Sequence, residues 1–239
     1  MDRESWLTAR RSAIVTEYDR GAPTYDQHGY PTDIQEQWVA RVLRTLKSGA
    51  IVLDAPCGTG RYFPMIRAAG MRVAGIDQSA QMLAMARARG IALSLEQRTL
   101  QGLSYDAHFD AVLTIDAMEN VPPEDWPFVA ANLRRAVRPG GLVYLTVEEV
   151  STARIDEAFK RLVGQGAPAV RGEVVEGDVA GYHYYPGRER VMAWLTAAGL
   201  DVLDEGYRQE NGWGYRHFLL RRGEESGEPA TVASDSVLS

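Results

Sequence analysis

The sequence predicts an α/β chain built on a doubly wound, mostly parallel seven-stranded sheet with an antiparallel last strand. Three observations carry this. Short apolar runs without alternation recur along the chain, amphipathic stretches ending in glycine separate them, and two strand-like runs joined by a short loop close the pattern. An unalternated run suits a strand covered on both faces. Strands separated by helices imply right-handed crossovers and parallel neighbours, and a late hairpin gives such a sheet an antiparallel edge.

The elements follow in order. Residues 34–46, "IQEQWVARVLRTL", place Ile34, Trp38, Val39, Val42, Leu43 and Leu46 at helical spacing, and Lys47-Ser48-Gly49 ends them. "AIVLDA" is the first strand, "RYFPMIRAAG" a helix stopped by Gly70, and "MRVAGID" the second strand. "SAQMLAMARARG" is a helix capped by Ser79 and stopped by Gly90. "IALSLEQ" holds a weaker third strand and "FDAVLTID" the fourth. "PEDWPFVAANLRRAV" is a helix beginning at Pro123, and "LVYLTVEE" is the fifth strand. The regularity lapses over residues 151–186, where a helical stretch precedes "GEVVEGDVAGYHYYP", a hairpin or loop by its glycines and aromatics. "GRERVMAWLTAAG" then resumes the helices, before the strands "LDVLDEGY" and "WGYRHFLLRR". The chain therefore divides into an N-terminal helical lid segment (1–33), a core domain (34–221) with a substrate-covering insertion after strand five (151–186), and a disordered acidic tail (222–239). Lid and insertion are both expected to cover the carboxyl ends of the strands, where open α/β sheets bind ligands.

Composition narrows the function. The net charge is -6, much of it in the tail, and no basic stripe offers itself to a nucleic-acid backbone, so nucleic acid is not an expected partner. Cys57 stands alone, which excludes an intramolecular disulfide, and no Cys/His cluster has zinc spacing. With no apolar leader and no stretch of membrane-spanning length, a soluble cytoplasmic protein is expected, with no membrane partner, as a monomer or homodimer.

"IVLDAPCGTGRY" (51–62) concentrates the chemistry. A strand, a glycine turn and a helix start form a polar cradle in which Gly58 and Gly60 permit a sharp turn and close ligand approach. A dinucleotide site would carry a third glycine, but Phe63 stands there. Asp77 closes strand two, where a carboxylate accepts both hydroxyls of a ribose, so a nucleoside is implied without fixing which. Asp54 discriminates: an acid buried at the top of strand one repels a pyrophosphate but suits a ligand carrying an ammonium and a sulfonium.

With Asp54, Pro56, Gly58 and Gly60, "GIDQS", "FDAVLTIDAMENV" and "NLRRAVRPGGLVYLTVEE", the chain resembles the Rossmann-like (class I) S-adenosylmethionine (SAM) dependent methyltransferases over roughly residues 34–221. The resemblance implies a site residue by residue. Asp54, with the backbone of Ala55 and Gly58, would sit near the methionine part of SAM; Asp77 would bind the ribose; Gln78 and Met82 would flank the adenine. Asp116 would lie near the amino group and the transferred methyl, while Arg61 and Tyr25 are candidates for the methionine carboxylate. Two departures stand out: Pro56 replaces a customary glycine, and Thr99, next to Leu100, stands where an aspartate commonly meets the adenine. Met82 and Met85 also read as core, Cys57 as a loop filler, and Tyr18 and Tyr25 as packing for the N-terminal helix.

Methyl transfer from a sulfonium needs alignment, exclusion of water and, for a hydroxyl or ammonium acceptor, removal of a proton. No metal is called for. The candidate bases are His183 in the insertion, whose ordinary pKa suits neutral pH, and Glu119 beside strand four; His28, His217 and the pair Glu148 and Glu149 are further titratable groups. Tyr182, Tyr184, Tyr185, Trp213 and Tyr215 suggest an aromatic pocket for a small-molecule acceptor methylated on O or N. Two other readings stay open: a protein of this fold that binds the nucleoside without methylating (a pseudoenzyme or another reaction), and an NAD(P)-dependent oxidoreductase, which Phe63 and Asp54 oppose.

Overall fold

The computed structural model describes residues 1–27, 33–176, 181–209 and 213–223; His28 and most of the acidic tail lie outside them. Helix α1 (Arg3–Gly21) opens the chain, its first turn capped by Asp2, which accepts from the Ser5 N–H at 2.8 Å. A 3-10 turn (Ala22–Gln27) follows, then α2 (Asp33–Thr45). Strand β1 (Ile51–Asp54), α3 (Phe63–Ala68), β2 (Arg72–Asp77), α4 (Ala80–Ala88) and β3 (Leu95–Gln97) form the first half of the sheet. β4 (Phe109–Thr114), α5 (Trp126–Ala136) and β5 (Val137–Val150) continue it. The excursion after β5 holds α6 (Thr152–Gly164) and a separate two-stranded pair, β6 (Glu173–Glu176) and β7 (Gly181–Tyr184). Helix α7 (Arg188–Ala197), β8 (Leu200–Gln209) and β9 (Trp213–Arg222) finish the domain.

The seven strands run β3-β2-β1-β4-β5-β9-β8. All are parallel except β9, which is antiparallel to both its neighbours. The antiparallel strand is therefore interior and β8 is the edge, because the chain passes β5 by one place and returns between. Alternate side chains leave opposite faces. Leu53, Val112 and Val143 pack with Trp126, Val129 and Leu195 of α5 and α7 on one face. On the other, Val52, Ala111 and Tyr144 pack with Val39 and Val42 of α2, Ile66 of α3 and Leu83 of α4.

Three boundaries differ from expectation. α5 begins at Trp126, since Pro122 to Asp125 form a turn closed by the Asp125 N–H on the Pro122 carbonyl. β5 begins at Val137, before its Pro-Gly-Gly, and a register shift against β4 absorbs those residues. β9 runs to Arg222, placed in the tail by sequence; its buried guanidinium donates to the carbonyls of Arg134, Arg135 and Val137.

Candidate active site

A cavity of about 280 Å³ lies over the carboxyl ends of β1, β2 and β4, where the strand order reverses and α/β folds bind ligands. Its floor is Pro56 to Gly58, Ile76 to Gln78 and Ile115 to Ala117; Thr99 to Gln101 and Met82 form one wall, and Arg61 and Tyr62 another. Its roof is α1 with Tyr25. This roof is fastened to the domain: Asp19 accepts from the Ser79 hydroxyl (2.5 Å) and the Gln81 N–H (3.1 Å), and Asp26 accepts from the Thr59 hydroxyl (2.5 Å) and Arg89 (2.5 Å). The Arg61 guanidinium stacks 4.6 Å over the Tyr25 ring.

Tyr25, Pro56, Gly58, Arg61, Asp77, Gln78, Met82, Thr99, Leu100 and Asp116 thus come together around one cavity. Asp54, Ala55 and Gly60 do not line it. The two glycines divide their work. At Gly58 (φ +51°) an added Cβ would meet nothing within 4 Å, whereas at Gly60 (φ +74°) it would stand 2.6 Å from the Phe63 ring. Gly60 lets the fully buried Phe63 seal the loop from beneath, and Gly58 leaves space above it. Asp77 accepts from the Gly58 N–H and the Ser79 N–H, both at 2.8 Å, so the carboxylate is held by the loop that it faces. Burial raises its pKa, and these backbone donors oppose the rise. Thr99 spends its hydroxyl oxygen on the Gly102 N–H at 3.1 Å.

Asp54 is 1% exposed, and its Oδ2 has no hydrogen-bond partner among the described residues. Burial and then the Asp77 charge push its pKa well up, against the pull of Arg61. Asp116 is a non-glycine residue at φ +51°, a conformation costing on the order of 1–3 kcal/mol and typical of functional positions. Its N–H donates to the Thr146 hydroxyl at 2.8 Å, and its two oxygens accept from the Gln35 amide at 2.7 and 2.8 Å. Gln35 in turn accepts from the Tyr62 hydroxyl at 3.2 Å. Burial lifts Asp116 to about 6, with Gln35 and Arg61 opposing.

Gln35 and Thr146 were not singled out by sequence reasoning, although Gln35 carries a signal. It lies three, four and seven residues before Trp38, Val39 and Val42, on the apolar stripe of α2, where a polar side chain needs a partner.

The candidate bases separate. Glu119, in a 3-10 turn (Met118–Asn120) after β4, is buried, and its Oε2 has no partner among the described residues. Burial, then the charges of Glu148 and Asp116, push its pKa well up. His183 lies outside the cavity lining, because β7 turns it toward Tyr185, whose hydroxyl meets its Nδ1 at 3.2 Å. Burial lowers its pKa. Burial raises Glu148 to about 7, with the Arg154 charge opposing. Glu149 takes no part: it pairs with Arg216 at 2.6 and 3.0 Å on the other side of β5. His217 is packed, its Nδ1 meeting the Tyr144 hydroxyl at 2.8 Å. Of the expected pocket aromatics, Tyr182 and Tyr184 are core side chains, held by Glu173 and Arg190. Among the described residues no group of three or more His, Cys, Asp or Glu could hold a metal ion, and no helix is long and apolar enough to cross a membrane.

Residues 52–141 match the family described as "Methyltransferase domain". A malonyl-[acyl-carrier protein] O-methyltransferase of Salmonella typhimurium is 34% identical over 223 residues, covering 90% of this chain and 84% of that protein. The chain belongs to the SAM-dependent methyltransferases. A namesake of that relative from Erwinia pyrifoliae is 32% identical over 168 residues, 69% of this methyltransferase, which thereby spans only 62% of that protein's length. In fold, the methyltransferase is similar to 1,6-didemethyltoxoflavin-N1-methyltransferase of Burkholderia thailandensis, with a TM-score of 0.68 at 19% identity over 94% of this chain and 92% of that one.

Proposed function

We propose that this chain binds SAM in the cavity beneath α1 and moves its methyl group to an oxygen or nitrogen atom of a small organic acceptor. The observation that carries the reading is the buried carboxylate of Asp77, fixed by the glycine-loop N–H and facing an enclosed cavity at the switch point. The residues suit the ligand. Asp77 would take the ribose hydroxyls; Met82 and Leu100 offer an apolar seat beside Thr99 for the adenine. Asp54 lies behind the loop, outside the cavity lining, and Arg61 suits a carboxylate. Bound there, SAM supplies a methyl already activated by its sulfonium.

The chain's own residues then hold, align and exclude water. Gln35 and Thr146 fix Asp116 at the end of β4, next to the acceptor side. α1 and Tyr25 close the cavity against solvent. Glu119 and His183 are the candidate proton acceptors for a hydroxyl or ammonium substrate, and neither lines the cavity. A dinucleotide reading is opposed by Phe63, which fills the space a third glycine would leave.

Calorimetry of the full chain with SAM, S-adenosylhomocysteine and NAD tests this. Both adenosyl compounds should bind well below millimolar and NAD should not. Adenosyl binding no tighter than millimolar, about 4 kcal/mol, refutes the reading. Turnover on an acceptor panel separates a working methyltransferase from one that only binds the nucleoside.

A further inference from the structure

The roof grips the two places that hold the carboxylate of Asp77. That carboxylate lines the cavity and accepts from two backbone donors, the Gly58 N–H of the glycine loop and the Ser79 N–H at the start of α4. Each donor sits where α1 or the turn after it is fastened. At the first, Asp26 accepts from the hydroxyl of Thr59, the residue after Gly58, and Arg89 ties the same spot by donating to the Thr59 carbonyl (2.6 Å) and to Asp26. At the second, Asp19 accepts from the hydroxyl of Ser79 itself and from the Gln81 N–H. The Ser79 hydroxyl also accepts from the Met82 N–H at 3.0 Å, so α4 begins with one cap of its own and a second supplied by α1. Thr59 and Ser79 are both buried, and a hydroxyl that loses its acceptor there has no ready water to replace it. The start of α1 is seated differently. Trp6 and Leu7 are buried, Trp6 meets Tyr182 edge to face at 5.8 Å, and Arg3 pairs with the buried Glu173. At the last turn of α1, and just beyond it, Asp19 and Asp26 supply the polar fastening, and neither lines the cavity.

Resting on the SAM-binding reading, we propose that Asp19 and Asp26 are positioning residues for the cofactor: through Ser79 and Thr59, closure of the roof and binding of the ribose by Asp77 reinforce each other. The latched roof fixes the Ser79 and Gly58 donors, and those donors aim the Asp77 carboxylate at the cavity. Ribose held on Asp77 in turn keeps both donors, and the hydroxyls beside them, where the two latches reach them. Such coupling is reciprocal. Whatever factor the latched roof adds to cofactor affinity, the cofactor adds to closure of the roof.

Calorimetry and limited trypsin digestion of the full chain test this. Asp19→Ala and Asp26→Ala should each weaken S-adenosylhomocysteine binding about fivefold or more, although neither side chain reaches the cavity. Asp19→Asn, which keeps an acceptor oxygen for Ser79 and Gln81, should stay closer to wild type than Asp19→Ala. Trypsin can cut α1 after Arg10, Arg11 and Arg20, and cutting there follows the open population of the roof. Saturating S-adenosylhomocysteine should slow it about fivefold or more in the wild-type chain. Without ligand, Asp77→Ala should quicken cutting within α1 about fivefold relative to cutting elsewhere. Thr99→Ala, which alters the cavity wall away from both latches, should leave that ratio within about twofold. Asp77→Asn replaces Asp77→Ala if the latter melts below the assay temperature. Latch variants that both bind S-adenosylhomocysteine within about twofold of wild type overturn the proposal. So does cutting of α1 that S-adenosylhomocysteine leaves unchanged, or that the loss of the Asp77 carboxylate leaves unchanged. Failure of the wild-type chain to bind S-adenosylhomocysteine overturns the SAM-binding reading instead, and the ligand-free digestion then still decides whether Asp77 and the roof are coupled.

Discussion

Replacing each loop glycine with alanine separates the conformational job of the loop from its ligand job. At Gly60 the backbone sits at φ +74° and the new Cβ would lie 2.6 Å from two Phe63 ring carbons. The left-handed backbone costs about 1–2 kcal/mol for a residue with a Cβ, and forcing a methyl against a buried ring costs about 1–3 kcal/mol more. Phe63 is fully buried beneath the sheet's helices and has nowhere to retreat. Gly60→Ala should therefore lose about 2–5 kcal/mol, which for a chain of this size lowers Tm by about 5–15 °C. Gly58→Ala carries the backbone term alone, with no atom within 4 Å of the new methyl, and should lose only about 2–6 °C. Its methyl instead enters the cavity, so S-adenosylhomocysteine affinity should fall more for Gly58→Ala than for Gly60→Ala. Differential scanning fluorimetry without ligand and calorimetry with it give both readings. A Gly60→Ala chain melting within 1 °C of wild type, or a Gly58→Ala chain melting lower than Gly60→Ala, would refute this division of work.

Asp77→Ala should weaken S-adenosylhomocysteine binding by about 2–5 kcal/mol in calorimetry; an unchanged affinity removes Asp77 from the site. Urea unfolding should show stability falling as pH rises. Glu148 and Asp116 have folded pKa values of about 7 and about 6, above the usual 4.5 and 3.8, so the folded chain holds extra protons. The stability they contribute is complete below about pH 4 and is lost on passing 6 and 7. Glu148→Gln should flatten the upper part of that fall, and an equally steep curve would count against it. Arg3→Ala should cost about 3–5 kcal/mol, because it takes the guanidinium, at 2.6 and 2.8 Å, from the wholly buried Glu173 and leaves it only neutral donors, the Tyr182 hydroxyl and the Val170 N–H, among the described residues. The double variant Arg3→Met with Glu173→Gln should recover at least half of the loss in urea midpoint.

The strands that build the cavity were legible because each is a run of apolar residues buried on both faces and ended by an acid or a glycine: β1 at Asp54 and β2 at Asp77 are the clearest cases. What was less legible lay in contacts made across long sequence distances. α1 buries only Trp6, Leu7 and Ile14 along 19 residues; an N-terminal helical lid was expected over the strand ends, but so sparse a stripe does not say which of its residues pack there. Gln35 and Asp116 meet across 81 positions, and neither stretch contains the other's reason for being polar. His183 suited a base by its intrinsic chemistry, but strand pairing of β7 with β6 decides which way it faces. Glu148 and Glu149 were one pair on paper; the pleat of β5 sends them to different partners.

The position of β9 bears on how this chain comes into being. It follows the other described strands in sequence, yet it stands between β5 and β8 and bonds along both. Until residues 213–222 have been synthesised, those two strands present long unpaired backbones, and nothing earlier in the chain occupies the gap. Assembly of that side of the sheet must wait for residues 213–222, whereas β1 to β4 can pair with one another beforehand. Vectorial folding would thus proceed from the β1–β4 half toward the β5–β8 half, leaving a nascent chain truncated before β9 with exposed edges that invite aggregation.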